Sequence, residues 1–87
     1  MEMEEIKRLF DDRFSHWNVY FDESGIATWV SMNNGNDFFE IQIVTHVGVG
    51  VSYRRNIEEI KFSGHDEAFR SLREALDYIE RKVASKM

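Results

Sequence analysis

The first segment of the chain has the apolar spacing of an amphipathic helix. Between residues 2 and 14, apolar side chains recur with helical spacing at Met3, Ile6, Leu9, Phe10 and Phe14. Residues at such intervals share one face of a helix. The opposite face carries Glu4, Arg8, Asp11 and Asp12. The pattern therefore predicts an N-terminal helix with one buried face.

Residues 16 to 62 alternate apolar and polar positions, which is typical of strands with one buried face. Ser24-Gly25 and Asn34-Gly35 are predicted two-residue hairpin turns, and His46–Gly48 is a predicted three-residue loop with Gly48 in the left-handed region. A weaker turn at Arg55-Asn56 precedes Ile57–Phe62, which is either a fifth strand or a helical turn. The segment predicts an antiparallel meander of four to five strands.

These turns imply a register that collects the aliphatic side chains on one face of the sheet. We expect Val19 opposite Val30, Val30 opposite Phe39, and Ile26 opposite Ile43. Turn chemistry and hydrophobic parity are independent signals, and both favour this antiparallel arrangement.

The last segment predicts a long helix. Its apolar residues repeat at spacings of three and four at Phe69, Leu72, Leu76, Ile79 and Val83. Ser63 or Asp66 is the expected N-cap. The expected fold is α+β, with one domain over residues 1–87: an N-terminal helix, a four- to five-stranded antiparallel meander and a C-terminal helix, both helices on one face of the sheet.

Composition narrows the function by exclusion. The 87 residues carry a net charge of −5 and no cysteine, so disulfides and thiolate chemistry are excluded. Phosphate repels an acidic protein, which argues against direct binding to nucleic acid or to an anionic membrane, but not against a basic protein partner. No apolar run approaches the roughly 20 residues of a membrane helix, and the N-terminus lacks a signal-peptide pattern, so we expect a cytoplasmic protein.

Candidate catalytic and metal-binding groups are sparse. His16, His46 and His65 have no ligand spacing between them, and Ser63–Asp66 is better interpreted as a helix cap than as part of a catalytic triad. Gly48 and Gly50 lack the third glycine and the following helix of a phosphate-binding loop. We therefore expect no enzyme activity, no cofactor and no metal.

The most informative feature is the predicted outer face of the sheet. In the expected register Tyr20, Trp29, Glu40 and Arg54 form one cross-strand row, and Phe38 lies in the next row with Asn18 and Ser31. Exposed Trp and Tyr beside Arg are typical of protein-binding hot spots. The predicted partner-binding residues are these, with neighbouring acids: Tyr20, Trp29, Phe38, Glu40, Arg54, Asp22, Glu23 and Asp37.

Other interpretations of this face stay open. A helix covers it, or its aromatics only stabilise cross-strand pairs, or Arg54 forms an ion pair with Glu40 across the sheet. Base stacking on the aromatics is disfavoured because the sequence lacks a basic groove.

The first half of the chain resembles a known class of inhibitors. A helix leads into a strand, a hairpin closed by Asn33-Asn34-Gly35-Asn36, and the next strand, Asp37-Phe38-Phe39-Glu40-Ile41. Over roughly residues 5 to 44 this order resembles small acidic phage anti-CRISPR proteins, which block a CRISPR nuclease by imitating DNA. Those proteins place a helix before a three-stranded sheet and helices after it. This chain has more strands, one long final helix and a milder acid excess, and the resemblance implies no specific functional residue.

Three functions follow as hypotheses. The first is a non-enzymatic protein-binding module, a small acidic inhibitor from a phage or mobile element that occupies a basic or aromatic-accepting surface of its target. Immunity proteins against bacterial toxins have the same general character. The second is a structural or regulatory homodimer whose outer sheet faces pack together. The third is an enzyme with a strongly perturbed titratable group in a cleft.

Overall fold

The computed structural model describes residues 2–54 and 67–84, which form two helices and five strands. The elements are α1 (Met3–Arg13), β1 (Asn18–Ser24), β2 (Ala27–Asn33), β3 (Phe38–Val44), β4 (Gly48–Arg54), β5 (Glu67–Phe69) and α2 (Leu72–Ala84). The strands form one antiparallel sheet in the order β1-β2-β3-β4-β5. The predicted α+β meander between two helices is confirmed. The predicted turn at Arg55-Asn56 and the segment Ile57–Phe62 lie outside the described residues.

Both helices pack on one face of the sheet, which we call the inner face. The apolar stripes of α1 and α2 and the inward side chains of β2, β3 and β4 form a single core. Phe10 of α1 is fully buried, and its ring lies 5.7 Å from that of Phe21 in an edge-on contact. Burial of one such side chain contributes about 2 to 3 kcal/mol. The buried core residues are Ile6, Phe10, Phe14, Val30, Met32, Phe39, Ile41, Ile43, Val49, Val51, Leu72, Ala75, Leu76 and Ile79.

The β1–β2 hairpin closes through Gly25-Ile26, not through the predicted Ser24-Gly25. Gly25 has a φ of +61°, and Ile26 does not share this positive φ, which is the pattern of a type II′ turn with glycine first. The predicted turn would have placed Ser24 at the position that needs a positive φ. As a result the register shifts: Val19 lies opposite Met32 instead of Val30, and Ile26 is 85% exposed in the turn instead of opposite Ile43.

The β2–β3 turn also differs from the predicted two-residue hairpin. Asn33 pairs with Phe38, so the loop spans Asn34–Asp37. The side-chain oxygen of Asn34 accepts hydrogen bonds from the backbone N–H groups of Asp37 at 2.7 Å and Asn36 at 3.0 Å. These hydrogen bonds from the backbone to the Asn34 side chain take the place of ladder hydrogen bonds and stabilise the longer turn, as asparagine often does. Val30 consequently lies opposite Ile41, not Phe39.

The β3–β4 loop has the predicted length but a different position. It consists of Thr45, His46 and Val47, with His46 at a φ of +68°, while Gly48 already pairs with Val44 in the sheet. The glycine at 48 has another role. Its φ is +154°, and a Cβ there would lie 2.9 Å from the backbone oxygen of Phe69, so glycine lets β5 lie against β4.

The final helix begins later than predicted. Phe69 belongs to β5, opposite Val49, and the N-cap is Ser71 rather than Ser63 or Asp66. The Ser71 hydroxyl accepts a hydrogen bond from the Glu74 N–H at 3.2 Å, and the Glu74 carboxylate accepts one from the Arg70 N–H at 3.3 Å. This reciprocal arrangement resembles a capping box.

An ion-pair cluster joins the two helices. The Arg13 guanidinium donates hydrogen bonds to Glu80 at 2.6 Å and to Asp77 at 2.5 Å. These two hydrogen bonds raise the pKa of Arg13 above its usual range. Arg13 is in the last turn of α1, where a cation also interacts favourably with the helix dipole. The cluster therefore fixes the C-terminal end of α1 against α2.

Candidate partner-binding surface

The sheet face opposite the helices, which we call the outer face, is organised in three cross-strand rows. The register of each hairpin differs from the predicted register by an even number of positions. Every strand side chain therefore stays on its predicted face, although the residues opposite it change. The rows are Asn18-Asn33-Phe38-Arg54, Tyr20-Ser31-Glu40-Ser52 and Asp22-Trp29-Gln42-Gly50.

The predicted row of Tyr20, Trp29, Glu40 and Arg54 is therefore wrong, although all four residues do share the outer face. Trp29 has Asp22 directly opposite on β1 and lies diagonal to Tyr20 and Glu40. Diagonal neighbours in a sheet are roughly 7 to 8 Å apart, which is within reach of an aromatic side chain. Arg54 lies opposite Phe38, so the expected cross-strand pairing with Glu40 does not occur.

An open groove crosses the part of the outer face formed by β1, β2 and β3. Its volume is about 320 Å³, and we call it the outer groove. Tyr20 is 64% exposed at this groove, and Trp29 is half-buried. The lining residues are Tyr20, Phe21, Asp22, Ser24, Trp29, Ser31 and Glu40.

The described residues that line the outer groove carry only negative charges. Asp22 and Glu40 contribute carboxylates, and no Lys, Arg or His is among these described lining residues. Within the described part of the chain, neither carboxylate forms a hydrogen bond or an ion pair. Two such carboxylates beside two aromatic rings favour the binding of a cation, because the carboxylates attract it electrostatically and the rings can form cation–π interactions with it.

The other predicted contact residues are distributed unevenly. Phe38 and Arg54 share the first row, both half-buried, and the Arg54 guanidinium donates to the backbone oxygen of Tyr53 at 2.5 Å. The neighbouring Ser52 is only 2% exposed. The exposed part of the outer face is therefore on the β1 and β2 side, around Tyr20.

Two of the predicted acids lie elsewhere. Glu23 is exposed on β1, but strand alternation places its side chain on the face opposite to Asp22. Asp37 is 8% exposed, and its carboxylate accepts hydrogen bonds from the Tyr53 hydroxyl at 2.6 Å and from the Asn34 side chain at 3.3 Å. Asp37 thus stabilises the β2–β3 turn and does not belong to the exposed surface.

Sequence reasoning missed the two serines of the groove. The predicted register puts Ser31 in a different row from Tyr20 and puts Ser24 in the turn. Both predictions are wrong because they close the β1–β2 hairpin at Ser24-Gly25 instead of Gly25-Ile26. The position of Gly25 is the signal that identifies the correct register, since a type II′ turn needs glycine first.

Within the described ranges, 2–54 and 67–84, no group of three His, Cys, Asp or Glu residues is arranged to hold a metal ion. No helix in these ranges is long and apolar enough to cross a membrane. Comparisons with protein-family models, with curated proteins and with solved structures found no match.

Proposed function

We propose that this protein is a non-enzymatic protein-binding module that inhibits a target by occupying a basic surface on it. The observation that carries the proposal is the outer groove, in which an exposed Tyr20 and a half-buried Trp29 lie beside two carboxylates without described partners, Asp22 and Glu40. The net charge of −5 supports a basic target.

The energetics of interfaces favour this assignment. A few residues, most often Trp, Tyr and Arg, supply most of the free energy of a protein–protein interface. Tyrosine and tryptophan offer large contact areas at a low cost in conformational entropy, because each has only two side-chain torsions. Tyr20 and Trp29 are therefore the proposed anchors, and the two carboxylates supply orientation and specificity.

A symmetric homodimer through the same face is the competing function, and the charges of the groove disfavour it. Two outer faces packed against each other would bring the Asp22 and Glu40 carboxylates of both copies into one interface. Like charges placed together in an interface cost several kcal/mol. A partner with Lys or Arg at these positions meets no such repulsion.

Site-specific photo-crosslinking captures the partner and at the same time tests whether the outer groove is the surface that binds it. A benzophenone amino acid is placed at position 20, and in a matched control at Val47, which is 79% exposed in the β3–β4 loop away from the outer groove. We expect a discrete cross-linked partner from position 20 and not from position 47.

The isolated partner then allows calorimetric titration. We expect Tyr20→Ala and Trp29→Ala each to weaken binding about 30-fold, as hot-spot residues do, and Val47→Ala to leave it unchanged. Equal affinity of the wild type and both groove variants would exclude this surface as the binding site. A wild-type dimer in light scattering that Tyr20→Asp converts to a folded monomer would favour the homodimer instead.

A further inference from the structure

The outer groove lies next to the β1 edge of the sheet. Among the described residues β1 pairs only with β2, so its side away from β2 has no neighbouring strand in the order β1-β2-β3-β4-β5. No described residue forms a backbone hydrogen bond with this side of the strand, and none of the seven β1 residues is fully buried. Exposed edge strands are templates for pairing with another chain.

The hairpin geometry identifies the backbone groups that point outward. In a two-residue hairpin the pair that flanks the loop, here Ser24 and Ala27, exchanges both backbone hydrogen bonds, and such pairs alternate along the strands. Asp22 and Tyr20 therefore also direct their backbone groups toward β2. The N–H and C=O groups of Val19, Phe21 and Glu23 point away from the sheet and are available to an added strand.

The outer groove continues to this edge. Phe21 borders the groove although its ring packs against Phe10 on the inner face, so the groove reaches the β1 backbone. Side chains of an added strand would alternate between the two faces. Those on the outer face would enter the outer groove beside Asp22. Those on the inner face would lie toward Phe21, whose ring already carries the Lys7 ammonium at 5.7 Å.

These charges define the kind of strand that fits. The acidic groove attracts Lys or Arg at alternate positions, whereas Lys7 on the other side disfavours further cations there. A second copy of β1 would bring another Asp22-Glu23 pair to the same edge. Like charges on adjacent strands are destabilising, so charge complementarity favours a foreign strand over self-pairing.

We propose that β1 is a docking edge for an extended, basic segment of a protein partner, which adds as a sixth strand and places its cationic side chains in the outer groove. This inference rests on the proposed function and specifies the partner's chemistry and binding mode. Main-chain hydrogen bonds to Val19, Phe21 and Glu23 would provide affinity, and the groove would provide selection for cations, as in other cases of strand addition.

The first experiment uses synthetic peptides long enough to pair with all of β1. One alternates lysine and threonine, and the control alternates glutamate and threonine. In a ¹H–¹⁵N NMR titration at millimolar peptide, we expect shifts at the amides of Val19, Phe21 and Glu23 and at the Trp29 indole with the lysine peptide only. The same three amides should become slower to exchange with deuterium. Absence of these shifts, or equal shifts with the glutamate peptide, would overturn the proposal.

A pair of variants separates strand addition from simple side-chain contact. Glu23→Pro removes the outward N–H, and edge strands tolerate proline where the N–H faces solvent. Glu23→Ala removes the same carboxylate but keeps the N–H. We expect Glu23→Pro to bind the lysine peptide about tenfold more weakly than Glu23→Ala, which corresponds to one lost hydrogen bond. Equal binding by the two variants would exclude pairing with β1.

A modified probe gives the same test without altering the protein. A lysine–threonine peptide N-methylated at every residue cannot donate any ladder hydrogen bond and should not bind, whether or not Glu23→Pro folds. If the methylated peptide binds equally well, strand addition is wrong. If Trp29→Ala still weakens binding of the cross-linked partner about 30-fold in that case, the proposed function stands without this binding mode.

Discussion

The hydroxyl of Tyr53 donates a 2.6 Å hydrogen bond to the carboxylate of Asp37 and so joins β4 to the turn between β2 and β3. The two residues are 16 positions apart, and Asp37 is 8% exposed. The Tyr53 ring also packs against Phe39, with 4.9 Å between the ring centroids, and carries the Lys82 ammonium of α2 at 4.8 Å. Tyr53 thus connects the turn, the core and the last helix.

Tyr53→Phe tests the value of this hydrogen bond. The substitution keeps the ring but leaves a largely buried carboxylate without one of its donors, which costs about 1 to 3 kcal/mol of unfolding free energy. Urea denaturation measures the loss, and Tyr20→Phe is the matched control because that residue is 64% exposed. A loss no larger than that of Tyr20→Phe would show that the hydroxyl contributes no net stability.

Gly48→Ala tests the close approach of β4 and β5. The added Cβ would lie 2.9 Å from the Phe69 backbone oxygen, at a φ of +154° that side chains rarely adopt. We expect a loss of about 2 to 3 kcal/mol in urea denaturation. Gly25→Ala is the control: it shares a positive φ of +61° but has nothing within 4 Å, so it should cost only about 1 kcal/mol. Equal losses of unfolding free energy in the two variants would mean that β5 moves away from β4 at no cost in stability.

Ser71→Ala tests the corrected start of α2. Loss of the side-chain acceptor for the Glu74 N–H should cost about 1 kcal/mol, while Ser71→Asp should retain or increase stability because a carboxylate caps equally well and interacts with the helix dipole. Thermal unfolding followed by circular dichroism distinguishes the two. If alanine and aspartate give the same midpoint, Ser71 does not act as the cap.

Arg13→Gln tests the ion-pair cluster between the helices. Because the pairs are partly exposed to solvent, we expect a loss of about 0.5 to 1 kcal/mol that shrinks in high salt. The raised pKa of Arg13 means that its contribution is fully present below the ordinary guanidinium pKa and is lost only as the pH rises above it. Arg13→Lys should retain part of the stability, since an ammonium keeps the charge without the fork of donors.

The same difference should be constant between about pH 6 and 9, because this range lies well below the raised pKa of Arg13. Urea denaturation of the wild type and Arg13→Gln across this range checks it. A difference that varies within the range would assign the effect to another titrating group.

Hydrophobic parity predicted the faces of the sheet correctly, whereas turn chemistry misplaced the register. A shift by two positions leaves Val30 in the core and Trp29 on the outer face, so a pattern with period two cannot detect it. The register of β1 against β2 depends on whether Gly25 is the first or the second residue of the turn. A single φ angle distinguishes these two cases. Phe69 was misassigned for a similar reason, because one apolar residue before Leu72 fits a helix stripe as well as a short strand.

The candidate site was predictable to the same extent. Parity alone places Tyr20, Trp29 and Glu40 on the outer face, whichever residues lie opposite them. The burial of Asp37 was not predictable, because it depends on Tyr53, which reaches it from a distant strand. An acidic residue next to a turn is usually solvated, and no local pattern indicates such a remote donor.

The joining of α1 to α2 also determines when the protein can fold during its synthesis. Arg13 cannot form its ion pairs until Asp77 and Glu80 have been synthesised, 64 and 67 residues later in the chain. Until α2 leaves the ribosome, Leu72, Leu76 and Ile79 cannot cover the inner side of the meander. Any part of the meander that forms before α2 has emerged therefore exposes its apolar inner face, and such exposed surfaces are substrates for chaperones. The core is thus completed only after α2 has been synthesised.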